Sequence, residues 1–120
     1  MQSGAQKRKD RVARGLPRYT PAEALSRKQA NKRQKAANSV KALAHTQAIK
    51  VLTGCADCGY SDHAEALEFD HLPEHQKVRS VSRMVQDGAS IAAIDSEIAK
   101  CEVVCANCHA VRTHARRTHA

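Results

Sequence analysis

Two C-x-x-C pairs, Cys55/Cys58 and Cys105/Cys108, bracket the second half of a 120-residue chain that has little else with which to build a core. One Phe, two Tyr and no Trp are its whole aromatic supply. Much of its 42% hydrophobic content is Ala, and at roughly 25 cal/mol per Å² of buried apolar surface an Ala-rich core is weak. Chains in this position use disulfides, a metal or oligomerisation to hold a fold. No stretch approaches the ~18 apolar residues of a membrane span, and no charged start is followed by an apolar run with a cleavage site. The expected compartment is therefore the cytoplasm. Thiols stay reduced there, which favours metal over disulfides. Each C-x-x-C turn places two thiolates on one edge of a tetrahedron, so two turns complete a four-cysteine zinc site with no open position. Such a zinc is structural and joins the two ends of the domain. A redox role is the competing reading for a single pair, less so for two matched ones. Cys101 has no spaced partner and reads as a buried strand thiol.

Charge divides the chain. Residues 1–50 carry 13 Lys and Arg against Asp10 and Glu23, a net of +11, whereas residues 51–120 carry 7 against 10 acidic residues, a net of −3. A basic block attached to a Cys/His-rich, mildly acidic block suggests an electrostatic arm beside a compact site, with nucleic acid as the expected partner and no membrane. A solubilising tail is the bland alternative. Residues 1–20 read as a flexible basic arm with too few apolar side chains to order itself. Thr20-Pro21-Ala22-Glu23 is a helix opening with Thr20 as cap, Pro21 in the first turn and Glu23 closing a capping box. The helix runs over 21–52, with Arg27, Lys28, Lys32 and Arg33 in a first half polar nearly all round. Val40, Leu43, Ala44, Gln47, Ala48 and Leu52 suggest the stripe by which the second half packs.

Residues 53–117 read as the folded domain and 118–120 as a tail. Leu67 and Phe69 alternate as in a strand that Pro73 closes, Val81, Met84 and Val85 have helical spacing, and Ser90 caps a helix with Ile91, Ile94 and Ile98 on one face. Cys101 to Cys105 is a second strand, followed by a helix to about Arg117. Its position directly after Cys108 aims His109 away from the zinc, toward Asp70 at the end of the first strand. One carboxylate and one imidazole are a sparse ligand set for a hard divalent cation, leaving room for water and a phosphate oxygen. His71, on the opposite pleat face or turned by Pro73, is free to act as a base. An isolated Asp-His is more often a surface pair.

Leu67-Glu68-Phe69-Asp70-His71-x-Pro73, followed by Lys100-Cys101-Glu102-Val103-Val104-Cys105-Ala106-Asn107-Cys108-His109 and Thr113, resembles the zinc-stapled HNH endonucleases of phages and prophages. The match runs from about Gly54 to Thr113. The resemblance implies an α+β fold, a ββα-metal (His-Me finger) domain with a four-cysteine zinc knuckle pair, here preceded by a long basic helix. It implies His71 as general base, Asp70 and His109 as ligands of a catalytic Mg2+, Mn2+, Ni2+ or Zn2+, and Cys55, Cys58, Cys105 and Cys108 as the structural zinc site. The activity implied is hydrolysis of DNA phosphodiesters to 5′-phosphate and 3′-hydroxyl ends, in a setting such as phage DNA packaging with terminase as partner. Arg112 and Arg116, one turn apart after His109, are placed to contact phosphates, with Arg27, Lys28, Lys32 and Arg33 supplying further cations. One departure is that Lys100 stands where the family's middle Asn, which braces the loop holding the base, usually lies. A non-catalytic zinc-stapled DNA-binding or packaging accessory protein is the alternative.

Overall fold

A computed structural model describes residues 2–118, and the chain divides between Gln34 and Lys35 into two units. In the first, Ser3 caps helix α1 (Gly4–Ala13), its hydroxyl accepting from the Gln6 N–H at 3.2 Å. Gln6 then reaches Asp10 one turn later, and Gly15, at φ 77°, ends the helix. The segment expected as an arm without order of its own thus contains a helix, because cap, side-chain pair and glycine stop all act locally. Helix α2 (Pro21–Thr53) opens on a reciprocal capping box: Thr20 Oγ1 accepts from the Glu23 N–H, and Glu23 Oε2 accepts from the Thr20 N–H. Tyr19 lies beneath the guanidinium of Arg27, 4.4 Å from its ring centre, with those of Arg18 and Arg8 farther out.

In the second unit α2 ends at Gly54 (φ 74°), and residues 55–60 fold back so that the Cys55 N–H meets the Tyr60 carbonyl. Strand β1 (Leu67–His71) pairs antiparallel with β2 (Cys101–Cys105), Leu67 opposite Cys105 and His71 opposite Cys101. Residues 72–100 therefore form an excursion inside one hairpin, and they hold helices α3 (Val81–Gln86) and α4 (Ile91–Ile98), each capped by a serine hydroxyl, Ser80 and Ser90. Helix α5 (Ala106–Thr118) follows β2 without a loop. The expected tail lies outside the described residues beyond Thr118.

Two small apolar clusters make the core. Cys55, Leu67, Val103, Val104 and Cys105 form one beside the cysteine pairs, and Ala42, Val81, Met84 and Ile94 form the other under α3 and α4. Phe69 packs against both. The expected packing stripe on α2 is not the one used: Val40, Leu43 and Leu52 are 70%, 49% and 85% exposed, while Ala42 and Thr46 are buried. Ala42 is the α2 residue that packs among Val81, Met84 and Ile94. Earlier on the helix the approach is between backbones: at Gly88 (φ 70°) a Cβ would sit 2.9 Å from the Lys35 carbonyl oxygen. Asn38 and Ser39 donate to the carbonyls of Gly88 and Gln86 across the same contact. Among the described residues no helix is long and apolar enough to cross a membrane.

Candidate functional site

The hairpin register brings the two cysteine pairs together. Ligand atoms of Cys55, Cys58, Cys105 and Cys108 all lie within 4.8 Å of one another, with Cys58 Sγ and Cys105 Sγ 3.8 Å apart. A tetrahedral zinc with Zn–S bonds of about 2.3 Å requires sulfur separations of about 3.8 Å, so these four residues fit that ion. Their protons are unevenly held. Burial raises the Cys55 thiol, but backbone N–H groups of Cys105, Cys58 and Asp57 more than offset it and bring it down to about 6. Hydrogen bonding to Cys105, with burial, pushes Cys108 up to about 12. Among the described residues this is the one group of three or more His, Cys, Asp or Glu side chains gathered closely enough to hold a metal. Cys101 stays outside it, its thiol donating to the Glu97 carbonyl and raised by burial to about 11.

Because α5 starts at the second knuckle, its first turns are held against β1. Glu68 and Asp70 point at it on alternate positions. His109 Nδ1 pairs with Glu68 Oε2, and its Nε2 lies 3.4 Å from Asp70 Oδ1. The expected pair Asp70 and His109 is thus brought together. Asp70, 2% exposed, has other partners as well: Arg116 grips both its oxygens at 2.8 Å, and Arg112 Nη1 donates to Oδ2 at 2.9 Å. Burial would raise this carboxyl, but the two guanidiniums hold it below the usual range. Arg112 also forks onto Asp57 at 2.7 Å and reaches Glu102 at 3.1 Å, tying the first knuckle to α5. Arg112 and Arg116, expected to face phosphates, are instead turned inward onto carboxylates, because Asp70 is buried and needs charged partners. Arg27, Lys28, Lys32 and Arg33 are exposed on the first half of α2.

His71 faces the other way, toward α4. Its Nε2 lies 2.9 Å from Glu97 Oε1, which also accepts from the Val78 N–H at 3.1 Å, while Oε2 accepts from Lys100 Nζ at 3.0 Å. Glu97 is 3% exposed; burial raises it, yet these three donors hold it down at about 2. Lys100 Nζ also donates to the Gln76 carbonyl at 3.0 Å, and the Lys100 carbonyl accepts from the Leu72 N–H. So the loop after His71 is braced from Lys100, although no Asn stands there. Sequence reasoning missed Glu97. Its signal was an acidic residue three positions after Ile94 on an otherwise apolar helix face.

His71 and His109 open onto one cavity of about 300 Å³, lined also by Lys50, Glu68, Phe69 and Lys77. Burial lowers the Lys50 ammonium, with Glu68 and Glu65 opposing. The cavity therefore presents two imidazoles, a carboxylate and two amines. No family model, curated protein or solved structure matches this chain. Its own geometry describes a small α+β domain with a non-local hairpin, a C-terminal helix and a four-cysteine cluster able to chelate a metal, consistent with a ββα-metal-like architecture.

Proposed function

We propose that the chain is a metal-dependent DNA endonuclease of the HNH class, hydrolysing phosphodiesters to 5′-phosphate and 3′-hydroxyl ends. What carries the reading is the convergence of His71 and His109 on one cavity with Asp70 3.4 Å from His109, at the end of a domain that four cysteines can staple. Asp70 and His109 would hold a divalent ion (Mg2+, Mn2+, Ni2+ or Zn2+), which when bound supplies Lewis-acid stabilisation of charge on phosphate oxygens. His71 takes the proton of the attacking water at Nδ1, because Nε2 faces Glu97. Lys50 and Lys77 at the cavity attract the phosphate, and the guanidiniums now on Asp70 are donors that a bound phosphate would share. The cations of α2 hold DNA to a domain whose own net charge repels it.

The test is conversion of supercoiled plasmid by the zinc-loaded chain with added Mg2+ or Mn2+. Nicking that stops with EDTA and is lost in His71→Ala supports the proposal, and equal substrate loss with both proteins refutes it. One observation favours a second reading, a non-catalytic zinc-stapled DNA-binding protein: both Asp70 oxygens already accept from guanidiniums. DNA binding without nicking under every ion would establish that reading.

A further inference from the structure

The buried carboxylate of Glu97 has no place in the metal sites described above, yet it gathers partners from three separate segments. His71 comes from the end of β1, the Val78 N–H from the loop after it, and Lys100 from the turn between α4 and β2. Lys100 extends the set to the Gln76 carbonyl and, through its own carbonyl, to the Leu72 N–H. Loop 72–80 is thus fastened at Leu72, Gln76 and Val78, all through two residues, Glu97 and Lys100, at the end of α4. A charge this deeply buried is a poor way to gain stability compared with an apolar side chain of similar size. It is a good way to fix geometry. The carboxylate accepts, so the His71 nitrogen facing it must carry a proton, which leaves the other ring nitrogen as the acceptor.

We infer that Glu97 and Lys100 form a positioning clamp for His71: Glu97 selects its Nε2–H tautomer and orients the ring toward the cavity, and Lys100 holds Glu97 and the loop in place. This rests on the nuclease reading for its catalytic meaning, though the clamp is measurable without it. Neither residue touches substrate or a reacting atom.

The experiment uses the zinc-loaded full chain. Two-bond proton–nitrogen correlations on ¹⁵N-histidine protein at pH 8, with His71 assigned against His71→Ala, are expected to show the Nε2–H tautomer, and Glu97→Gln to lose it. In plasmid nicking, Glu97→Gln is expected to lower kcat roughly 10- to 100-fold with KM within about twofold. Lys100→Met should follow it, and Lys100→Arg, which keeps donors for Glu97 and Gln76, should restore most of the rate. A wild-type Nδ1–H tautomer overturns the clamp, and so does a Glu97→Gln protein with unchanged kcat or with a lowered kcat and an unchanged tautomer. The wild-type measurement decides even if Glu97→Gln fails to fold. A wild type inert toward plasmid that still shows the Glu97-dependent tautomer supports the clamp and sinks the nuclease reading alone.

Discussion

Arg112→Met separates an arginine built into the fold from one displayed to solvent. The guanidinium gives one hydrogen bond to Asp70, which is 2% exposed, and a fork to Asp57, whose side chain is 40% exposed. A hydrogen bond to a buried charge is worth about 1.5–3 kcal/mol, whereas the exposed fork is screened and adds at most about 1 kcal/mol. Asp70 keeps the bidentate grip of Arg116, so the full cost of an orphaned buried charge, about 3–5 kcal/mol, does not apply. The expected loss is about 2–4 kcal/mol. Urea unfolding of the zinc-loaded chain at pH 7, followed by far-ultraviolet circular dichroism, measures it. The decisive quantity is the double-mutant cycle with Asp70→Asn, where the buried component vanishes, and a coupling of about 1.5–3 kcal/mol is expected. Coupling below about 0.5 kcal/mol, or a single-variant loss that small, is what a solvated arginine would give; either result would refute the internal role.

Three further outcomes are expected. Gly88→Ala combines a left-handed backbone with a Cβ 2.9 Å from the Lys35 carbonyl oxygen, so it should cost about 2–5 kcal/mol; Gly59→Ala (φ 81°), with nothing within 4 Å, should cost only about 1–2 kcal/mol, and equal losses in urea unfolding would contradict close packing of α2. Zinc binding must displace the protons held on Cys58 and Cys108, both raised, while Cys55, at about 6, is mostly ionised at neutral pH; apparent zinc affinity should therefore rise from pH 6 to 8, roughly tenfold per unit for each proton released, as competition with a chromophoric chelator would show. Replacing Lys28, Lys32 and Arg33 by Gln should make the dependence of log Kd for duplex DNA on log salt shallower, by about 0.9 for each phosphate no longer neutralised; an unchanged slope would remove this helix face from the proposed DNA contact.

Much of this fold is written locally. The Thr20–Glu23 capping box, the Ser90 cap and the Leu67/Phe69 alternation need only neighbouring residues, and each is legible at that range. The grouping of four cysteines is non-local but carries its own spacing. What escaped has a common cause, the dependence of one residue on a distant partner. Apolar size on α2 does not mark its packing face, because the buried positions are the small Ala42 and Thr46, and Ala42 finds Val81, Met84 and Ile94 only through the tertiary fold. The inward turn of Arg112 and Arg116 depends on Asp70 being buried, which alternation alone does not reveal. Glu97 is marked in the sequence only as an acid on an apolar helix face, and its meaning comes when His71, Val78 and Lys100 arrive from elsewhere.

The excursion of residues 72–100 within one hairpin also sets the order in which this chain can assemble. No tight turn nucleates the pairing of β1 with β2, and the cysteines that must meet are 47 positions apart. Closing a loop of that length costs roughly 3 kcal/mol of chain entropy before any pairing compensates it, and such topologies fold slowly. Zinc captured first by Cys55 and Cys58, which need no distant partner, would leave an ion with two open positions waiting for Cys105 and Cys108. During synthesis Cys58 of the first knuckle emerges 47 residues ahead of Cys105 of the second. On this topology the domain stays incomplete until the second knuckle has been synthesised, and the helix that follows that knuckle is its last piece to be locked.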